Sequence, residues 1–138
     1  MRSRLQLSLS ALCLLALFVS NSCAKSKARD TIRIVALAPD TQTSLSVGAT
    51  VDVAADVEYD LTTHDSAALT LFVQAGESAT RALAKDAIVV KRGRSRATLQ
   101  VRVTVPDTKT LDLFVTMLFQ DQKESTVVDS RFYAVTKR

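Results

Sequence analysis

The sequence predicts an all-β domain, a single two-sheet β-sandwich of about seven short strands with Greek-key connections. Apolar and polar residues alternate with a period of two over long stretches, and turn-forming segments interrupt them at short intervals. A further observation limits the size: once an N-terminal leader is set aside, the 138-residue chain holds enough residues for one ordinary domain and one core.

The clearest strand is VDVAADVEYDL. Val51, Val53, Ala55, Val57, Tyr59 and Leu61 share one parity while Asp52, Asp56, Glu58 and Asp60 share the other, the pattern of a half-buried strand. RATLQVRVTVP repeats it, with Ala97, Leu99, Val101, Val103 and Val105 on one face and Arg96, Thr98, Gln100, Arg102 and Thr104 on the other. Further strands are expected at Ile32 to Ala38, Leu69 to Gln74, Ala87 to Val90, Leu111 to Gln120 and Thr126 to Thr136. APDTQTSLSVG, THDS, KRGRS, PDTK and DQKES read as the turns between them. Gly76 to Lys85 is undecided, because ESATRALAK is rich in helix formers and could make one short helical turn between the sheets.

Arg2 and Arg4 precede an apolar run from Leu5 to Val19, the arrangement of a secretory signal. A membrane-spanning helix would need about 20 apolar residues, and here the run gives way to a polar flank. Two processing sites compete. Ser22, Cys23 and Ala24 suit a general signal peptidase cutting after Ala24, but Cys23 behind Ser22 also suits lipoprotein processing, in which that cysteine becomes the lipidated N-terminus. Cys13 leaves with the leader, so Cys23 would be a lone thiol, and an anchor accounts for it best. The expected organisation is a signal over residues 1–24, a polar tether over 25–30 and the β-sandwich over 31–138. Taking 24 residues from 138 leaves 114, with 16 Lys and Arg against 14 acids, and so small an excess gives no reason to expect nucleic acid.

Ile32-Arg33-Ile34 with Pro39, then Gly48 leading into VDVAADVEYDL, SAALTLFVQ and IVVKRGRSRATLQVRVTVP, resembles the immunoglobulin-like or fibronectin-type-III-like modules of exported bacterial proteins. The resemblance covers nearly all of residues 31–136 and rests on periodicity and turns, so it implies a fold and no activity. That topology would set the second and fifth strands side by side, placing Asp52, Asp56, Glu58 and Asp60 against Arg96 and Arg102, with Asp56 or Asp60 pairing one of the two arginines.

No residue constellation reads as catalytic. His64 beside Asp65 and Ser66 has the residue types of a hydrolase triad, but neighbours in one tight turn do not reach the required geometry. No cofactor or metal site is expected, since zinc needs His and Cys ligands and calcium needs converging oxygens, whereas carboxylates along one strand point in parallel. Lys91, Arg92, Arg94 and Arg96 around Gly93 suggest a cationic hairpin tip, a candidate contact for an anionic surface. Phe114 and Leu118 break the alternation of LDLFVTMLFQ, as Phe72 does in its own strand. If Val128, Phe132 and Ala134 point inward, then Phe72, Phe114, Leu118 and Tyr133 form an outward apolar patch, a candidate partner surface.

The expected protein is a non-catalytic module in the periplasm or on the cell surface, lipid-anchored to a bacterial membrane through Cys23 and holding a protein or glycan partner. An accessory subunit of an envelope enzyme or secretion assembly is the alternative. Cys23→Ser is expected to release the protein from the membrane fraction, and a mature chain starting at unmodified Lys25 would exclude the anchor.

Overall fold

In the computed structural model the described residues are 29–76, 80–120 and 127–137. The leader with Cys23, most of the tether, residues 77–79 of the undecided stretch and the DQKES turn lie outside them. Every regular element among the described residues is a β-strand: β1 (Thr31–Ala38), β2 (Leu45–Ser46), β3 (Thr50–Ala75), β4 (Ala84–Thr104), β5 (Thr110–Leu118) and β6 (Val128–Thr136). The all-β class is as expected, and the arrangement is compatible with a β-sandwich. The ladder order is β1-β3-β5-β6-β2, with β4 also on β3, and all pairs are antiparallel except the short β2–β6 contact.

Two of the expected boundaries are absent. The strands read at 51–61 and 69–74 are one strand, β3, and those at 87–90 and 97–105 belong to one strand, β4, which ends at Thr104. Together they form a long antiparallel hairpin, from Thr50 opposite Thr104 to Val73 opposite Ala84. It closes beyond Val73 and Ala84, where Gly76 has a positive φ of 72° and the Leu83 amide donates to the Val73 carbonyl at 2.7 Å. KRGRS is therefore not a hairpin tip. It lies midway along β4, where the ladder is distorted: Leu61 is opposite Gly93 and Ser66 is opposite Lys91, leaving Thr62 to Asp65 against Arg92 alone.

That distortion lets both halves of the hairpin turn apolar residues inward. Before Gly93, Ile88 and Val90 pack on the core; after it, the inward residues are Ala97, Leu99, Val101 and Val103, so the parity of β4 switches. A strand switches parity only by inserting an irregularity. Gly93 supplies it with φ at 119°, a backbone region that side-chain-bearing residues rarely occupy. The first half of β3 then lies between β1 and the second half of β4, and its second half lies between β5 and the first half of β4. A smaller shift between Ile34 and Ala36 does the same for β1, whose inward residues Ile32, Ile34 and Leu37 do not fit a strict period of two.

The two halves enclose one core. Leu61, Leu69, Leu71, Leu99, Leu111, Leu113 and Met117 are among its fully buried side chains, each contributing about 1.5–3 kcal/mol on burial. Side chains also close the lateral edge between β1 and β6. The Ile34 amide donates to Asp129 Oδ2 at 2.8 Å, Arg131 donates to the Ile34 carbonyl at 3.3 Å, and Arg131 pairs with Asp129 at 2.7 Å. On the opposite edge Asp86 reaches from the first half of β4 to the second and accepts the Gln100 amide at 2.9 Å.

At the bend, main-chain groups that have left the ladder find other partners. Asp30 Oδ1 accepts the amides of Thr62 at 2.7 Å and Thr63 at 3.0 Å, both hydroxyls also donate to this carboxylate, and Arg92 donates to the Thr62 carbonyl at 3.2 Å. Partial burial of Asp30 raises its pKa, but the donors from Thr63 and Thr62 outweigh this and hold it below the usual value of 3.8. Its stabilising contribution is thus present above that value and is lost as the pH falls through the lower folded one. Asp30→Ala should cost about 1–2 kcal/mol near neutral pH, through the two amides left without a partner. In thermal melts this deficit should shrink as the pH falls through the lowered folded pKa, where the wild-type carboxylate is itself protonated.

Candidate binding surface

The two outward faces of the folded sheet differ in chemistry. Over β1, the first half of β3 and the second half of β4, the face is charged and internally paired. Asp52 stands opposite Arg102, Asp56 opposite Thr98, Glu58 opposite Arg96 and Asp60 opposite Arg94. The acidic row thus lies beside Arg96 and Arg102. The ion pair across these strands, however, joins Arg102 to Asp52 at 2.6 Å, not to Asp56 or Asp60. Glu58 is held by Arg33 of β1 at 2.8 Å, and Asp56 accepts the Thr98 hydroxyl at 2.6 Å. Hydrogen bonds from these guanidinium groups hold the Asp52 and Glu58 carboxyls below their usual pKa range.

The outward face over the first half of β4, the second half of β3, β5 and β6 carries a group of large apolar residues among polar ones. Phe72 stands opposite Phe114, and Leu118 opposite Ala68, with Val89 beyond Ala68 on β4. Val128 and Phe132 of β6 complete it. Val89, Val128 and Phe132 are 73%, 50% and 62% exposed, and Leu83, at the parity that precedes Lys85, is another exposed large apolar residue. Phe72, Phe114 and Leu118 share this face and are half-buried.

Tyr133 does not belong to the patch. Its side chain is fully buried on the inner face, and its hydroxyl donates to the Pro39 carbonyl at 2.6 Å. Burial, and then the nearby Asp40 charge, push its pKa up to about 12. The parity of the last strand is thus the reverse of the expected one: Tyr133 and Val135 face in, and Val128, Phe132 and Ala134 face out. Asp129 and Arg131 share the inward parity because both are used to close the β1–β6 edge, and two charged residues at those positions obscured the apolar face in the sequence. Phe132 and Val128 were therefore missed as surface residues, and Val89 was missed because the short strand read at 87–90 was given no outward side.

Lys91, Arg92, Arg94 and Arg96 are all exposed along β4 at the bend. Arg92 pairs with Asp65 at 3.0 Å and supports the bend, and Arg94 and Arg96 lie across from Asp60 and Glu58, so much of this basic stretch takes part in the fold. The ring of His64 stacks on Phe119 at 4.1 Å between centroids, and its Nδ1 lies 2.7 Å from the Thr63 hydroxyl, while Asp65 is turned to Arg92. Among the described residues no three His, Cys, Asp or Glu side chains are grouped to hold a metal ion. An open hollow of about 640 Å³ lies at the end of the charged face, where the charged lining residues Asp52 and Arg102 are paired with each other. Comparison with known proteins gives no match, either to a family model or to a curated protein sequence.

Proposed function

We propose that this chain is an exported, non-catalytic binding module of immunoglobulin-like sandwich topology, anchored through Cys23 and holding a partner on the outward face of β3, β5 and β6. The observation that carries this reading is the contrast between the two faces. One has Asp52, Asp56 and Glu58 matched by arginines or a hydroxyl from neighbouring strands, whereas the other leaves Val89, Val128 and Phe132 in solvent around Phe72, Phe114 and Leu118. A contiguous exposed apolar face on an otherwise polar domain marks an interaction surface. The pairing supports the topology. β1 with the early half of β3 and the late half of β4 makes one layer, and the early half of β4 with the late half of β3, β5, β6 and β2 makes the other, the strand order of a variable-type sandwich. A protein partner suits so apolar a face better than a glycan, and an accessory role in an envelope assembly would use the same surface.

The test is cross-linking in intact cells from a photoreactive residue at position 132, with position 102 on the charged face as control. Discrete adducts are expected from position 132 and none from position 102, and Phe114→Asp should reduce the former about tenfold or more without changing the melting temperature by more than a few degrees. Adducts from position 102 alone, or from the basic stretch alone, would remove this face as the binding surface.

A further inference from the structure

Among the described residues, the fully buried side-chain polar atoms that lack any hydrogen-bond partner are Asp112 Oδ2 and Thr116 Oγ1. Both lie on β5, and both are on its outward face, with Phe114 between them. Asp112 is only 5% exposed and stands between Gln74 of β3 and Phe132 of β6, while Thr116 stands between Thr70 and Val128. Thus each unsatisfied atom is next to one of the exposed apolar residues of β6. Elsewhere Asp52, Glu58, Asp65, Asp107 and Asp129 each hold an arginine or lysine of this chain. Asp112, the most enclosed carboxylate among the described residues, holds none.

A buried carboxylate oxygen without a donor is costly to the free protein, and buried polar groups are normally satisfied, so an orphan on an exposed apolar face points to a group supplied from outside. Building on the binding-face reading above, we propose that this face receives a protein partner that delivers an arginine side chain to Asp112. The chemistry selects the guanidinium. It is planar and weakly hydrated, it can stack on the rings of Phe132 or Phe114, and its paired N–H groups match a carboxylate. A lysine ammonium would have to shed a tighter hydration shell to enter the same apolar surroundings. Thr116, four residues further along β5 and so about 13 Å away, takes a second polar contact from the same partner.

The probe is a capped tripeptide with arginine between two leucines, compared with the same peptide carrying citrulline, which keeps the shape and removes the charge. Each is titrated into the full chain while the amide resonances of residues 110–118 and 128–136 are followed. The arginine peptide should perturb these strands and the citrulline peptide should bind about tenfold more weakly or worse. Asp112→Asn should abolish the difference between the peptides and at the same time raise the melting temperature, because it removes an unpaired buried charge. A purely structural Asp112 would lower the melting temperature and leave the peptides unaffected, which overturns the proposal. Equal binding of both peptides, with both lost in Phe132→Asp, overturns the arginine while leaving the binding face standing. Loss of the cross-link from position 132 together with silence from both peptides removes both readings. Concentration-dependent dimerisation of the full chain that Asp112→Asn abolishes would identify a second copy as the occupant, against the proposal.

Discussion

Burial of both halves of β4 at once depends on the break in the hairpin ladder between Leu61 and Ser66. Were the hairpin regular throughout, the parity of β4 would not change at Gly93, and either Ile88 and Val90 or the row Leu99, Val101, Val103 would face solvent. Turning that row outward would forfeit about 1.5–3 kcal/mol for each large residue. The break leaves a few main-chain groups without ladder partners, at about 1–3 kcal/mol each if they stayed unsatisfied. Asp30 and Arg92 satisfy three of them. The balance favours the bend, and the bend in turn gives the chain its two opposed outward faces.

Carboxylates do further work at the lateral edges. Strand edges expose amide and carbonyl groups that can recruit another chain. Asp129 and Arg131 occupy those of Ile34 on β1, and Asp86, turned inward at the edge of β4, occupies that of Gln100. Positive charge along the middle of β4 adds repulsion against a like edge. The open surface of the molecule is thus a face and not an edge.

The period-two pattern of β3 and of the second half of β4 was legible because each has one dry and one wet side, and the pairing of acidic and basic rows followed from it. Strand continuity was not legible. THDS and KRGRS have turn composition, and nothing local distinguishes a chain reversal from a bend that two adjoining strands share. Within the candidate surface, Phe72, Phe114 and Leu118 were visible as breaks in alternation. Tyr133 was misassigned because Asp129 and Arg131, on its own parity, serve the β1–β6 edge instead of pointing to solvent. The burial of Asp112 was not legible either, since sequence carries no sign of which carboxylates the fold encloses.

Because β3 and β4 run unbroken through both halves of the folded sheet, the described strands have no seam at which those halves can part. Halves joined only by loops can loosen one at a time, whereas here the two long strands are common to both. A load applied at one outward face is therefore carried along continuous main chain to the opposite one.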